Sequence, residues 1–151
     1  MMRGVTIYYL RNLFILAVTM SSICACAPSK LRSVNPASNA YAQAFEVTNV
    51  HRFVFISGQV PVGDNNEDVP VDFQEQCRTV WDNIRKQLDA CGMKLTDIVK
   101  VTTYLADRKY REQNYKVRQE ILGNHSPALT IIISDIYHEA WLLEIEVIAA
   151  R

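Results

Sequence analysis

The chain has 151 residues, 49% of them apolar, with 16 basic and 16 acidic side chains in balance. That length allows one domain with a proper core and not two, and the apolar content excludes disorder. With no positive excess, there is no electrostatic reason to expect a nucleic-acid partner.

Residues 1–26 read as a bacterial lipoprotein signal peptide. Arg3 and Arg11 form a positive leading region, and Leu13-Phe14-Ile15-Leu16-Ala17-Val18 opens an apolar run that reaches about Ala25. The run is too short to span a hydrocarbon core of about 30 Å as a helix. It ends in Ile23-Cys24-Ala25-Cys26, which resembles a lipobox. The resemblance puts a lipid on Cys26 and anchors the protein to the membrane of the cell envelope, facing the periplasm. Simple secretion and an uncleaved anchor are the lesser alternatives; a mis-assigned start upstream of a cytoplasmic domain is another. Residues 27–39 hold two prolines and three serines with no apolar period. They predict a flexible tether, which leaves 40–151 as the domain.

Ala44 to Asn49 and Arg52 to Ser57 are strand-like runs separated by Val50-His51, which predicts a hairpin. Phe53-Val54-Phe55-Ile56 is nearly all apolar and predicts a central, covered strand. Gly58 to Asn66 has the turn formers of a surface loop. Between Asp72 and Cys91, Phe73, Cys77, Val80, Trp81, Ile84, Leu88 and Cys91 recur at spacings of three and four, the stripe of an amphipathic helix. Asp72 is its N-cap and Gly92 its stop. Cys77 and Cys91 stand 14 residues apart on that stripe. They are thus separated by about 21 Å along the axis, beyond disulfide reach, and are predicted to be buried thiols.

Ile98 to Leu105 alternates as a strand. Lys109 to Leu122 predicts a second helix with Tyr110, Val117 and Ile121 inward and Gly123 as its end. Leu129 to Ile133 and Trp141 to Ala150 are the last strands. In the final one, Trp141, Leu143, Ile145, Val147 and Ala149 share one face, and Glu144 and Glu146 take the other. The order predicts an α+β fold, a mixed β-sheet with two long helices packed on one face. The uncovered face would then be closed by self-association.

Several segments, in this order, are similar to the Rid (YjgF) family. They are Ala40-Tyr41-Ala42-Gln43-Ala44, Val54-Phe55-Ile56-Ser57-Gly58-Gln59-Val60-Pro61, Asn83, Thr102-Thr103-Tyr104-Leu105 and Asn114. Ser126-Pro127-Ala128-Leu129-Thr130 and Leu143-Glu144-Ile145-Glu146-Val147-Ile148-Ala149 complete the set. The resemblance covers about Asn39 to Ala150. It implies a homotrimer with a central β-barrel and a cleft for a small molecule at each subunit interface. In the family's deaminases such a cleft takes an imine such as 2-iminopropanoate. An arginine pairs with its carboxylate, and a glutamate positions the water that attacks the imine carbon. Ammonia leaves, a 2-keto acid remains, and no metal or organic cofactor takes part.

Carried onto this sequence, the resemblance gives Glu144 the water-positioning role, with Glu146 as its competitor. Tyr41, Ser57 and Asn114 become cleft-lining candidates, although Tyr41 and Asn114 fit trimer packing equally well. Leu129 stands where the pattern has its carboxylate-binding arginine. Losing the partner of a buried charge costs roughly 2–5 kcal/mol. Arg52, Arg108, Arg111 and Arg118 are the candidates to supply another cation. The expectation is a small-molecule-binding protein without the usual deaminase activity. The alternatives are an imine or enamine hydrolase of altered specificity using Glu144, and a non-catalytic envelope interaction protein. His51, His125 and His138 lack metal-ligand spacing, and no phosphate loop or nucleophile turn is present.

Overall fold

A computed structural model of the chain describes residues 27–38, 41–63 and 69–151. The proposed signal peptide, Cys26 included, lies outside the described residues. The elements in chain order are β1 (Lys30–Ser38), β2 (Tyr41–Thr48), β3 (Phe53–Gln59), α1 (Phe73–Ala90), β4 (Ile98–Leu105), α2 (Arg111–Leu122), β5 (Ala128–Ile133) and β6 (Leu143–Ala150). Short 3₁₀ turns at Leu95–Asp97 and Arg108–Tyr110 lead into β4 and α2. The six strands form one mixed sheet in the order β1-β2-β5-β4-β6-β3.

β3 and β4 both run antiparallel to β6, and β5 runs parallel to β4. β3, β4 and β5 therefore point the same way, and same-direction strands need crossover connections. α1 supplies the first crossover and α2 the second, and both cover one face of the sheet. Phe73, Cys77, Val80, Trp81, Ile84 and Leu88 of α1 and Val117 of α2 pack there against Val101, Leu105, Leu143, Ile145, Val147 and Ala149.

The ends of α1 follow from its sequence. Asp72 accepts from the backbone N–H of Gln74 at 2.9 Å and of Glu75 at 3.0 Å, which satisfies two orphan donors. At the far end Gly92 takes φ +64°. The N–H of Gly92 then reaches Asp89 O at 2.9 Å and that of Met93 reaches Leu88 O at 2.8 Å, a Schellman stop. Gln76 is buried within the apolar stripe with its polar atoms matched. Its Nε2 donates to Pro70 O and Ala140 O, and its Oε1 accepts from Leu142 N. One side chain thus ties the approaches to α1 and β6 together.

Five expectations need correction. The tether assigned to residues 27–39 contains β1, which pairs antiparallel with β2 from Lys30↔Thr48 to Ser38↔Tyr41. An edge strand needs a partner on one side only, so it tolerates Pro36 and the positive φ of Asn35. The hairpin partner of β2 is consequently β1, and β3 lies at the opposite edge of the sheet. Nor is β3 covered: Phe53 is 49% and Phe55 74% exposed, on the face without helices. Cys91 is exposed because it caps α1 beyond its last turn, while Cys77 is buried. Trp141 precedes β6 and is half-buried rather than part of that strand's core face.

Ile84 is fully buried between α1 and the sheet. Ile84→Ala is expected to lower unfolding free energy by about 2–5 kcal/mol in urea denaturation, with an unchanged m-value.

Candidate functional site

Alternation along β6 sends Leu143, Ile145, Val147 and Ala149 into the helix layer and turns Glu144 and Glu146 to the open face. Across the ladder, Tyr104 stands opposite Glu144 and Thr102 opposite Glu146. β3 pairs with the far side of β6 and carries a bulge between Ile56 and Gln59, where Ser57 and Gly58 together face one residue. The Glu144 carboxylate lies on Gly58. A Cβ at position 58 would sit 2.5 Å from Glu144 Cδ and closer still to Oε1, so any side chain there would displace the carboxylate. Asn83 of α1 fixes the chain just beyond, donating to Val60 O at 3.1 Å and Val62 O at 2.9 Å.

Ser57 opens onto a hollow of about 390 Å³ on the same face, with Lys100, Thr102, Glu146 and Phe55 among its walls. Lys100 Nζ donates to Thr130 Oγ1. Partial burial lowers the Lys100 pKa, and the nearby Glu146 carboxylate offsets part of that. Glu146, not Glu144, lines this hollow.

The other face carries a larger cleft of about 700 Å³ between β2, β5 and α2. Tyr41 and Leu129 meet there, with Tyr115 and Ile131 extending the apolar wall. Leu129 pairs with the buried Val101 across β5 and β4, which sets it on the helix side. Arg108, Lys109, Arg111 and Arg118 put four cations around the cleft against the single carboxylate of Glu112. Three of the four arginines singled out from the sequence therefore converge on Leu129 within one chain. Arg52 stands apart and donates to Cys91 O at 2.5 Å.

Arg118 differs from its neighbours because it is buried, at 2% exposure. Burial lowers its pKa, countered by Cys77, Tyr115 and Tyr41. Its guanidinium lies 5.7 Å from the Tyr115 ring centroid. One helical turn earlier, Asn114 is wholly buried, and Cys77 Sγ donates to its Oδ1 at 4.0 Å. Burial pushes the Cys77 thiol up to about 12, although Arg118 and Arg78 pull the other way. Asn114 thus stands between the helices and not on the cleft wall.

The five residues expected to share a site are distributed by the fold. Tyr41 and Leu129 come together on the helix side, Ser57 and Glu144 lie on the open face, and Asn114 is interior. One chain does not bring Leu129 and Glu144 to the same ligand. The burial of Arg118 was missed because the inward face of α2 was read from Tyr110, Val117 and Ile121 alone. Asn114, Val117, Arg118 and Ile121 obey the same i, i+3, i+4, i+7 spacing and carried the signal.

The contact between Gly58 and Glu144 predicts a strong coupling. Gly58→Ala should cost about 1–3 kcal/mol in the parent chain, and most of that cost should vanish in a Glu144→Ala background. A double-mutant cycle of denaturation free energies measures it.

A family model described as endoribonuclease L-PSP matches residues 32–151. The RutC family protein PH0854 of Pyrococcus horikoshii is 36% identical over 112 residues, covering 74% of this chain and 86% of that protein. The 2-iminobutanoate/2-iminopropanoate deaminase of Escherichia coli is 36% identical over 67 residues, covering 44% of this chain and 50% of its own length. Among solved structures, Escherichia coli TdcF with bound serine superposes with a TM-score of 0.62 at 25% identity, covering 77% of this chain and 97% of that one. With matching segments along nearly the whole described domain, this chain belongs to the Rid (YjgF) family.

Proposed function

We propose that this chain binds a small molecule in Rid-type clefts without the deaminase turnover of relatives such as the 2-iminobutanoate/2-iminopropanoate deaminase. The observation that carries this reading is Leu129 on the wall of the 700 Å³ cleft. An aliphatic side chain there offers no planar fork for a carboxylate at the position where the Rid pattern has an arginine.

A second reading, an active hydrolase on a neutral or extended imine, is favoured by Gly58. The chain keeps a glycine where any side chain would displace Glu144, as expected of a carboxylate that orients water. The two readings part in a semicarbazide-trapping assay with 2-iminopropanoate. The parent chain is expected to show no hydrolysis above background, and Leu129→Arg to gain it. Hydrolysis by the parent at the rate of the family's deaminases would overturn the first reading. If the parent is active on any imine, Glu144→Gln should abolish that activity; an unchanged rate removes Glu144 from the mechanism.

In the same proposal the protein is a trimer tethered through a lipid on Cys26. The open face supports association, because Phe53, Phe55 and Ile132 stay 40–74% exposed there. Three acyl chains on one assembly hold a membrane where one is marginal. Sedimentation of the purified protein should give a trimer, and Phe55→Lys should shift it toward monomer.

A further inference from the structure

We infer that the hollow beside Arg52 and Arg151 is the end of the molecule that faces the bilayer and holds the phosphates of anionic lipids. The inference rests on the lipid anchor proposed above and names the surface that the anchor brings to the membrane. Reciprocal backbone bonds close the β3–β6 ladder there: Arg52 N donates to Arg151 O and Arg151 N to Arg52 O, each at 2.9 Å. The two arginines are therefore cross-strand neighbours, an arrangement in which like charges repel. Both side chains reach the end of α1, Arg52 Nη2 donating to Cys91 O and Arg151 Nη1 to Gly92 O.

The helix end accounts for only part of this charge. The last turn of α1 has no basic residue, so a cation from elsewhere is favourable there. Yet a helix C-terminus carries only about half a negative charge, so two guanidiniums are in surplus over it. The hollow they border has a volume of about 620 Å³ and is also lined by His51, Cys91, Pro28 and Ser29, with no carboxylate side chain. Lys30 and Lys94, both exposed, flank it in the chain. A guanidinium matches phosphate oxygens with two parallel N–H bonds, which suits the pair to lipid phosphodiesters.

The place of this hollow decides the source of the phosphate. Pro28 is two residues from Cys26, a chain length of at most about 7 Å. An acyl group on Cys26 thus holds the rim of the hollow within about one Debye length, roughly 8 Å, of the headgroups, where surface charge acts. A cyclic trimer would repeat the hollow at the same end of its axis, so every copy meets one bilayer. Free phosphate in solution gains none of this proximity.

Cys91 is the exposed thiol in the hollow and reports on its access, while Cys77 is buried. The test mixes the full chain with vesicles of phosphatidylglycerol or of phosphatidylcholine and follows alkylation of Cys91 by N-ethylmaleimide with peptide mass spectrometry. Phosphatidylglycerol is expected to slow alkylation by roughly 25-fold relative to phosphatidylcholine, at about fivefold per arginine. Arg52→Gln combined with Arg151→Gln should make the two rates equal. Equal rates in the parent, or a difference that survives in the folded double variant, overturn the assignment. Should the variant fail to fold, the parent decides alone. Salt at about 1 M, where the Debye length is about 3 Å, should abolish the difference, and protection that persists there overturns the assignment too. Loss of protection on adding inorganic phosphate at matched ionic strength would make this a free-phosphate site and overturn the lipid source. An unmodified Cys26 in chain taken from the envelope would sink the anchor alone, because the two alkylation rates are measured separately.

Discussion

The antiparallel ladder between β4 and β6 is the constraint on which the rest of the molecule depends. It runs through the middle of the sheet, and its inward residues, Val101, Leu105, Leu143, Ile145 and Val147, are the floor on which both helices rest. Because side chains alternate strictly along a strand, burying that set forces Lys100, Thr102, Tyr104, Glu144 and Glu146 onto the other face. No local rearrangement can exchange the two sets. A slip of one residue would drive two glutamates into the helix layer and expose the apolar set, at a cost far above the stability of a small domain.

Two chemically different surfaces follow. The open face is a floor of acids, hydroxyls and one lysine, bordered by phenylalanines that a monomer has no means to cover. The helix side ends in a basic, aromatic cleft where α2 stops short of β5. In most folds a binding site and its reacting groups share one concavity. Here Leu129 of β5 faces the helix side while Glu144 of β6 faces the open side, so within one chain the two do not share a concavity.

Much of this was legible in the residues. The stripe of α1, its cap at Asp72 and its stop at Gly92 fix that helix to within a residue, because spacing and capping are local properties. The face carrying Glu144 followed from β6 alone. Strand order did not, because pairing is decided between segments far apart in the chain. The apolar run of β3 looked central and is an edge, its phenylalanines awaiting cover that a lone chain lacks. Prolines and serines made β1 look like a tether, although an edge strand makes few demands on sequence. The burial of Arg118, named from the sequence only as a candidate cation, was overlooked for a related reason: charged residues are assumed to face water, and only spacing argued otherwise.

Pro36, with Asn35 beside it in a left-handed conformation, has a bearing on how the protein meets copies of itself. A sheet edge is a template, and a chain with two open edges can add neighbours without limit until it becomes a fibre. β1 blunts one edge by withholding a backbone donor and kinking the strand that would receive the next molecule. Growth by edge-to-edge addition needs both sides. With one of them closed, stacking through β3 ends after a single step, and the chain is protected from polymerising edge to edge.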